Sequence, residues 1–282
     1  MDANEIEKYF VPYLPQSINA AKDADISPHL SHKERQAGID VNIDLELEIH
    51  LKDQNKVVAI PHRVLSHSDA QIQEKEVKEM FRMGVIRPST SPFNSLTVLV
   101  DKPDGNKRHC NEYSYLNKFI ADYNYQLLLI RDNLSRYHGF NLLSALDLRH
   151  GYCQVNLAEW CRHIIAFSTY FGKFEYFKVP MRIKTSPRFF QSVMHHVFEG
   201  MVNTSIEYYQ DDILFKAVEF QDALFSLRQT FERIRTYGLK VRPEKCKFLH
   251  TNVKYLGFHV TPRQLIPPQD KMNAIRNVLP PN

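Results

Sequence analysis

The fold is decided by residues 206–215, which read Ile206-Glu207-Tyr208-Tyr209-Gln210-Asp211-Asp212-Ile213-Leu214-Phe215. Two short stretches rich in aromatic and β-branched residues flank a polar Gln-Asp-Asp segment, and this pattern predicts a tight β-hairpin. Adjacent carboxylates repel each other unless a cation neutralises them, so Asp211 and Asp212 are candidate ligands for a divalent metal. Aspartate is also common in solvated turns, and for the pair alone that simpler interpretation is favoured.

Composition sets wide limits. The chain has 282 residues, 43% of them hydrophobic, which is enough for one large or several small cores. The net charge of +4 permits a nucleic-acid partner but does not indicate one. The four cysteines have no CxxC spacing, which predicts reduced thiols and not a zinc site or a disulfide scaffold. No apolar run approaches the roughly 20 residues of a membrane span, and the N-terminus lacks a signal-peptide pattern. We therefore expect a soluble, intracellular chain.

The first half of the chain contains three further patterns. Leu45 to Ile49 alternates between apolar and polar residues, which predicts a strand. Ser68-Asp69-Ala70-Gln71 has the form of a capping box that begins a helix, and Gly84 ends that helix. Leu96 to Val100 is a second predicted strand, followed by a turn rich in cations.

Another candidate carboxylate, Asp147, ends the short apolar run from Leu142 to Leu146. A carboxylate at the end of a buried strand is well placed to hold a metal, although a lone aspartate there is more often a turn or cap residue.

Two helices and two extended runs are predicted in the second half. Ser186-Pro187 begins the first helix and Gly200 ends it. Apolar residues at helical spacing from Phe220 to Ile234 predict the second. The extended runs cover 240–246 and 253–260. This order of elements favours an α+β fold, an antiparallel sheet with helices on one face.

With both carboxylate segments identified, the chain resembles the reverse transcriptase domain of Ty3/gypsy-type retrotransposon Pol polyproteins. Order and spacing agree with the family from about residue 50 to about residue 275. Five segments carry the resemblance: Gly84–Pro92 (GVIRPSTSP), Leu146–Tyr152 (LDLRHGY), Tyr209–Asp212 (YQDD), Gly238–Cys246 (GLKVRPEKC) and Tyr255–Gly257 (YLG).

The resemblance implies a right-hand polymerase with fingers, a palm whose antiparallel sheet is backed by helices, and an incomplete thumb. The implied boundaries are an N-terminal arm at 1–44, fingers at 45–121 and 155–184, palm at 122–154 and 185–263, and the start of a truncated thumb at 264–282.

The resemblance also implies a two-metal nucleotidyl transfer, with two Mg²⁺ ions (or Mn²⁺) at the site. Asp147 and Asp211 are the expected principal ligands and Asp212 the supporting one. The expected nucleotide-binding residues are Lys102, Arg108, Tyr152, Met181 and Lys245. The expected primer and template contacts are Tyr209, Gln210, Tyr255, Leu256 and Gly257.

The implied partners are an RNA or DNA template with its primer and dNTPs, with no membrane. The protease, RNase H and integrase domains of a full polyprotein are expected elsewhere. The implied location is a cytoplasmic particle or the nucleus.

The sequence departs from the family pattern at several positions. Arg182 stands where the family has glycine, and its bulk and charge predict a blocked or redirected approach of template or nucleotide. Ser114 stands where the family has arginine, Gln210 replaces an apolar residue, and His150 replaces a small one beside the first aspartate.

Three functions are therefore compared. The first is an RNA-directed DNA polymerase domain. The second is a catalytically weakened, nucleic-acid-binding remnant of a mobile element, which would bind primer–template in a salt-dependent way without extending it. A metal nuclease that uses the same carboxylates is disfavoured, because RNase H-like sites need further acidic residues on a different sheet.

Overall fold

The computed structural model describes residues 41–101, 105, 107–127, 139–201, 206–268 and 272–273. Three predictions fall wholly or mostly outside these ranges: the N-terminal arm, the start of the thumb, and Lys102.

The described elements are three α-helices and fourteen short strands, with 3₁₀ turns between them. In chain order they are β1 (Glu46–Leu47), α1 (His67–Arg82), β2 (Ile86–Pro88), β3 (Leu96–Asp101), β4 (Lys107–Glu112), β5 (Leu142–Asp147), β6 (Asn156–Leu157), β7 (Phe167–Thr169), β8 (Gly172–Tyr176), α2 (Ser186–Val197), β9 (Ile206–Tyr209), β10 (Asp212–Ala217), α3 (Phe220–Thr236), β11 (Lys247–His250), β12 (Val253–Tyr255), β13 (Phe258–Val260) and β14 (Leu265–Ile266).

The chain divides into two compact units. Of the described residues, the first unit comprises those up to Gln126 and those from His150 to Val193. The second unit comprises Leu127, residues 139–149, and the described residues from Met194 onward. The assignment of these segments to fingers, palm and thumb remains a prediction.

The second unit is built on a four-stranded antiparallel sheet in the order β11-β5-β10-β9. The predicted hairpin is confirmed as β9 and β10, with Tyr209 paired to Asp212. Only Gln210 and Asp211 form the turn, so Asp212 already belongs to a strand. Within the hairpin, Glu207 of β9 is fully buried, and its carboxylate lies 3.4 Å from the ammonium group of Lys216 on β10.

Both faces of this sheet are covered. Leu143 and Leu214 share one face, which packs against β12 and β13 in a cluster that includes Val253, Tyr255 and Val260. Side chains on the opposite face, such as Ile213, are also buried. The helix α3 packs against β5 and β10. Burial on both sides holds the register of β5 against β10, because a slip by one residue would exchange the two faces.

The first unit holds three smaller sheets, ordered β3-β4, β2-β8-β7 and β1-β6. All named strand pairs are antiparallel except β1 with β6, so the predicted α+β class is confirmed. One buried polar cluster inside the unit is hydrogen-bonded: Asn111 donates to the hydroxyls of Tyr113 and Tyr176 at 3.0 and 3.1 Å.

Three local predictions differ from the structure, the third being the run at 240–246, which was expected to be extended but contains a 3₁₀ turn at Pro243–Lys245. The capping box was placed two residues late, because α1 begins at His67 and Ser66 is the N-cap, accepting from the Asp69 N–H at 3.2 Å. Gly84 does follow the helix end, and its φ of 67° is the left-handed conformation that glycine tolerates best.

The second difference concerns residues 253–260, which are not one extended run. They form the β12–β13 hairpin, in which Val253 pairs with Val260 and Tyr255 with Phe258. Leu256 and Gly257 make the turn with φ values of 49° and 84°. Positive φ at both central residues matches the right-handed twist of the flanking strands.

Among the described residues, no helix is both long and apolar enough to cross a membrane.

Candidate active site

The hairpin tip carries two of the three candidate carboxylates. Gln210 and Asp211 connect β9 to β10 in a two-residue turn, and Gln210 has a φ of 56°. A left-handed conformation at a non-glycine residue costs about 1 kcal/mol or more. The sheet and its covered faces hold the turn in this shape.

The sheet register brings the third carboxylate to the same tip. Asp212, the first residue of β10, lies directly opposite Asp147, the last residue of β5. The Leu148 N–H donates to the Asp211 carbonyl at 3.1 Å, so the turn is tied to the end of β5. Side chains of directly opposed residues lie on one face, with Cβ atoms about 5 Å apart. Asp147 and Asp212 are therefore neighbours.

Two cations approach Asp147 from the segment after α3. The backbone of this segment pairs with the end of β5, since the Arg242 N–H donates to the Asp147 carbonyl at 2.8 Å. The ammonium group of Lys245 then lies 3.2 Å from Asp147 Oδ2, and Arg242 Nε lies 4.0 Å from Oδ1. Lys245, an expected nucleotide-binding residue, therefore lies beside the first of the three carboxylates.

Burial disfavours the charged form of the other two carboxylates. Desolvation raises the pKa of Asp212 to about 6, and the charges of Asp211 and Asp147 add to this effect. Desolvation, with the charge of Asp147, also raises the pKa of Asp211. Lys245 opposes both shifts without cancelling them. A bound cation would remove this repulsion.

The chemistry of these groups suits a hard divalent metal, because carboxylate oxygens are the ligands that Mg²⁺ prefers. Their oxygens have not converged on one point: across the described residues, no group of three or more His, Cys, Asp or Glu side chains is arranged to hold a metal ion. Lys245 occupies one oxygen of Asp147 instead. Metal binding by all three carboxylates therefore requires side-chain rotation.

The predicted primer and template residues of the second unit have different environments. Tyr209 is half-buried at the end of β9, and Gln210 is the strained turn residue. Leu256 and Gly257 form the turn of the β12–β13 hairpin. Tyr255, in contrast, is only 3% exposed and packs in the hydrophobic cluster, so its ring supports the hairpin from inside.

The described nucleotide-binding candidates other than Lys245 belong to the first unit. Arg108 lies on β4 opposite Val100 and is exposed. Tyr152 is half-buried, with its ring centroid 5.0 Å from that of Phe190. Met181 is 45% exposed. Lys102 lies outside the described residues, so its role stays a prediction.

Sequence reasoning missed two features near these candidates. Arg242 was not named as a partner of Asp147, although it lies three residues before Lys245 in the same segment. Glu112 and Asn117 were not recognised as the residues that contact Arg182. No local pattern signals either contact, because the partners are 65 or more residues apart in the chain.

Comparisons with known proteins bear on this geometry. Residues 100–260 match the family described as "Reverse transcriptase (RNA-dependent DNA polymerase)". The chain is 30% identical over 245 residues to the retrovirus-related Pol polyprotein from transposon 412 of Drosophila melanogaster, covering 85% of this chain and 20% of that protein. It is 26% identical over 231 residues to the transposon Tf2-3 polyprotein of Schizosaccharomyces pombe, covering 82% of this chain and 17% of that one. The chain thus spans about a fifth of the length of these relatives.

Solved structures share the fold. The foamy viral protease-reverse transcriptase in complex with an RNA/DNA hybrid superposes with a TM-score of 0.73 and 18% identity, covering 100% of this chain and 38% of that one. The same viral protein in complex with double-stranded DNA gives a TM-score of 0.75 and 18% identity, covering 98% of this chain and 53% of that one.

Proposed function

Because the chain belongs to the reverse transcriptase (RNA-dependent DNA polymerase) family, we propose that it is the polymerase domain of a retrotransposon Pol polyprotein. In this proposal it extends a primer 3′ end by RNA-directed synthesis of DNA. The family match and the similarity to transposon Pol polyproteins support the assignment.

The observation that carries the proposal is the carboxylate tip, defined as Asp147, Asp211 and Asp212. The three residues lie where a strand end, a turn and a strand start come together, and the pKa values of Asp211 and Asp212 are raised by burial and by the charges of neighbouring carboxylates. Such a cluster is unfavourable as it stands, and carboxylates with perturbed pKa values are typical of functional sites. Two divalent ions, when bound, would supply Lewis-acid activation of the primer hydroxyl and stabilisation of the departing pyrophosphate.

The candidate site residues would then have the following roles. The carboxylate tip would hold the metal, and Lys245 would turn from Asp147 to bind triphosphate oxygens. Lys102, Arg108, Tyr152 and Met181 contact the incoming nucleotide. Tyr209, Gln210, Leu256 and Gly257 contact primer or template, and Tyr255 fixes the hairpin that carries the last two.

The proposed partners are a primer annealed to an RNA or DNA template, and dNTPs. Two solved structures with this fold are complexes with an RNA/DNA hybrid and with double-stranded DNA, which supports this choice. The fingers, palm and thumb boundaries given above belong to the same proposal, as do protease, RNase H and integrase domains elsewhere in a polyprotein.

A weakened, nucleic-acid-binding remnant is the second candidate. Arg182 in place of a family glycine favours it, as does Ser114 in place of a family arginine. In that case primer–template binds through basic side chains, and binding weakens with salt, but no extension follows.

Primer extension on an RNA template with Mg²⁺ and dNTPs tests the proposal, with Asp211→Asn beside the parent. We expect extension by the parent and its loss in the variant. Asp44→Asn is the control for removal of an exposed carboxylate, and it should extend like the parent. Absence of extension by the parent, with primer–template binding retained at low salt, would assign the chain to the second candidate.

A further inference from the structure

Two departures from the family pattern meet on one carboxylate. Ser114 contacts Glu112 Oε1 through its hydroxyl and through its backbone N–H, the latter at 2.9 Å. Arg182 approaches the other oxygen, with 3.6 Å between its Nη1 and Glu112 Oε2. Hydrogen bonds from Ser114, together with the charge of Arg182, lower the pKa of Glu112. The position that lost an arginine and the position that gained one thus share a single acidic partner.

The backbone at Arg182 is held in place from the same side. Its φ of 71° is a left-handed conformation, which glycine adopts with less strain than arginine. Asn117 clamps this turn, because its Nδ2 donates to the Arg182 carbonyl at 2.9 Å and its Oδ1 accepts from the Lys184 N–H at 3.0 Å. The clamp and Glu112 together set the direction of the Arg182 side chain.

The guanidinium of Arg182 still has donors to offer. A guanidinium carries five N–H donors, and the ion pair with Glu112 is long and one-sided. The Arg182 side chain is 41% exposed. Lys118, which follows the clamping Asn117, is exposed as well, so a second cation lies close along the chain. The chemistry that fits is an anion with several oxygens on one centre, and a phosphate accepts two parallel N–H bonds from arginine.

We propose that Arg182 supplies the guanidinium that position 114 lacks, and that Glu112 and Asn117 aim it at a phosphate of the nucleic-acid backbone. The identity of the partner rests on the proposed function. Arg182 is then a binding residue and not an obstruction, and the two departures compensate each other.

The test measures primer–template affinity by fluorescence anisotropy in a salt series, without dNTPs. Arg182→Gln should weaken binding about tenfold and reduce the slope of log affinity against log salt by about one. Arg182→Lys should retain the slope and recover part of the affinity, because it keeps the charge without the planar fork. Arg82→Gln, at the exposed end of α1, is the matched control for loss of one positive charge and should bind like the parent.

Moving the arginine from position 182 to position 114 tests the proposal without changing the net charge. Arg182→Gly should lose affinity like Arg182→Gln, and adding Ser114→Arg to it should restore most of the loss. An obstructing arginine predicts the opposite, tighter binding by Arg182→Gly with no further gain from Ser114→Arg. That result, or an unchanged affinity and salt slope in Arg182→Gln, would overturn the proposal. Thermal melting of each variant verifies folding, and glycine at a position with positive φ introduces no strain.

Different results would contradict the proposed polymerase function and the inference about Arg182. Arg182-dependent binding without any extension contradicts only the proposed polymerase function. Extension by a chain whose binding ignores Arg182 contradicts only the inference about Arg182.

Discussion

The carboxylate tip and the Glu112–Arg182 pair present acidic groups in opposite electrostatic states. At the tip, burial and like charges raise the pKa of Asp212 to about 6. At Glu112, hydrogen bonds from Ser114 and the charge of Arg182 lower the pKa. The tip is short of positive charge and suits a metal cation, whereas the pair has guanidinium donors to spare and suits an anion. A polymerase needs both kinds of site, since it must hold metals and a phosphate backbone.

The largest expected effect tests the tip by activity. Asp147→Asn should reduce primer extension by at least about 10³-fold, because several kcal/mol of metal-dependent stabilisation is lost at about 1.4 kcal/mol per tenfold. Primer–template affinity without dNTPs should stay near that of the parent. Extension within tenfold of the parent would remove Asp147 from the metal site.

Acid should lower the stability of the first unit, because the imidazole of His109 is buried there. Burial lowers the pKa of His109 to about 4, and only 7% of the residue is exposed. Between pH 6.5 and 4 the unfolded chain binds a proton that the folded chain does not. The free energy of unfolding therefore falls as pH falls through this window, by up to about 3 kcal/mol.

Denaturant titrations followed by fluorescence measure this loss, because Trp160, the one tryptophan, belongs to the first unit. His109→Leu should flatten the pH dependence, and His259→Gln, at an exposed position, should not. An equally steep loss in His109→Leu would mean that another group titrates.

Neutralising an acid in each region should change stability in opposite directions. In metal-free buffer with EDTA, Asp212→Asn removes a desolvated, repelled charge and should raise the free energy of unfolding by about 1–2 kcal/mol, after allowance for partial exposure. Glu112→Gln removes an acceptor of stabilising contacts and should lower it by about 0.5–1 kcal/mol. Changes of the same sign in both variants would contradict the electrostatic contrast.

The last expected effect concerns the Asn117 clamp. Asn117→Ala removes two hydrogen bonds to the backbone around Arg182 and should destabilise the chain by about 1 kcal/mol. If the clamp mainly offsets the left-handed strain, then Arg182→Gly should reduce the effect of Asn117→Ala in a double-mutant cycle. Strict additivity would show that the clamp and the strain are independent.

Local patterns predicted much of the fold. The hairpin around Gln210, the strand that ends at Asp147, and the helix from Phe220 were each found where periodicity and turn residues indicated them. Errors were of two kinds. The start of α1 was misplaced because Ser66 and Ser68 are both acceptable caps, and the turn at Leu256–Gly257 was missed because a leucine with positive φ gives no signal.

The sequence by itself determined the family, the α+β class and the identity of the three carboxylates, because these depend on residue types and spacings along the chain. Only the tertiary structure decided that Asp212 lies opposite Asp147, that Lys245 and Arg242 approach Asp147, and that Arg182 pairs with Glu112. The physical reason is that strand register and ion pairing depend on which distant segments pack together. The energy of a charged side chain depends on those neighbours more than on its place in the sequence.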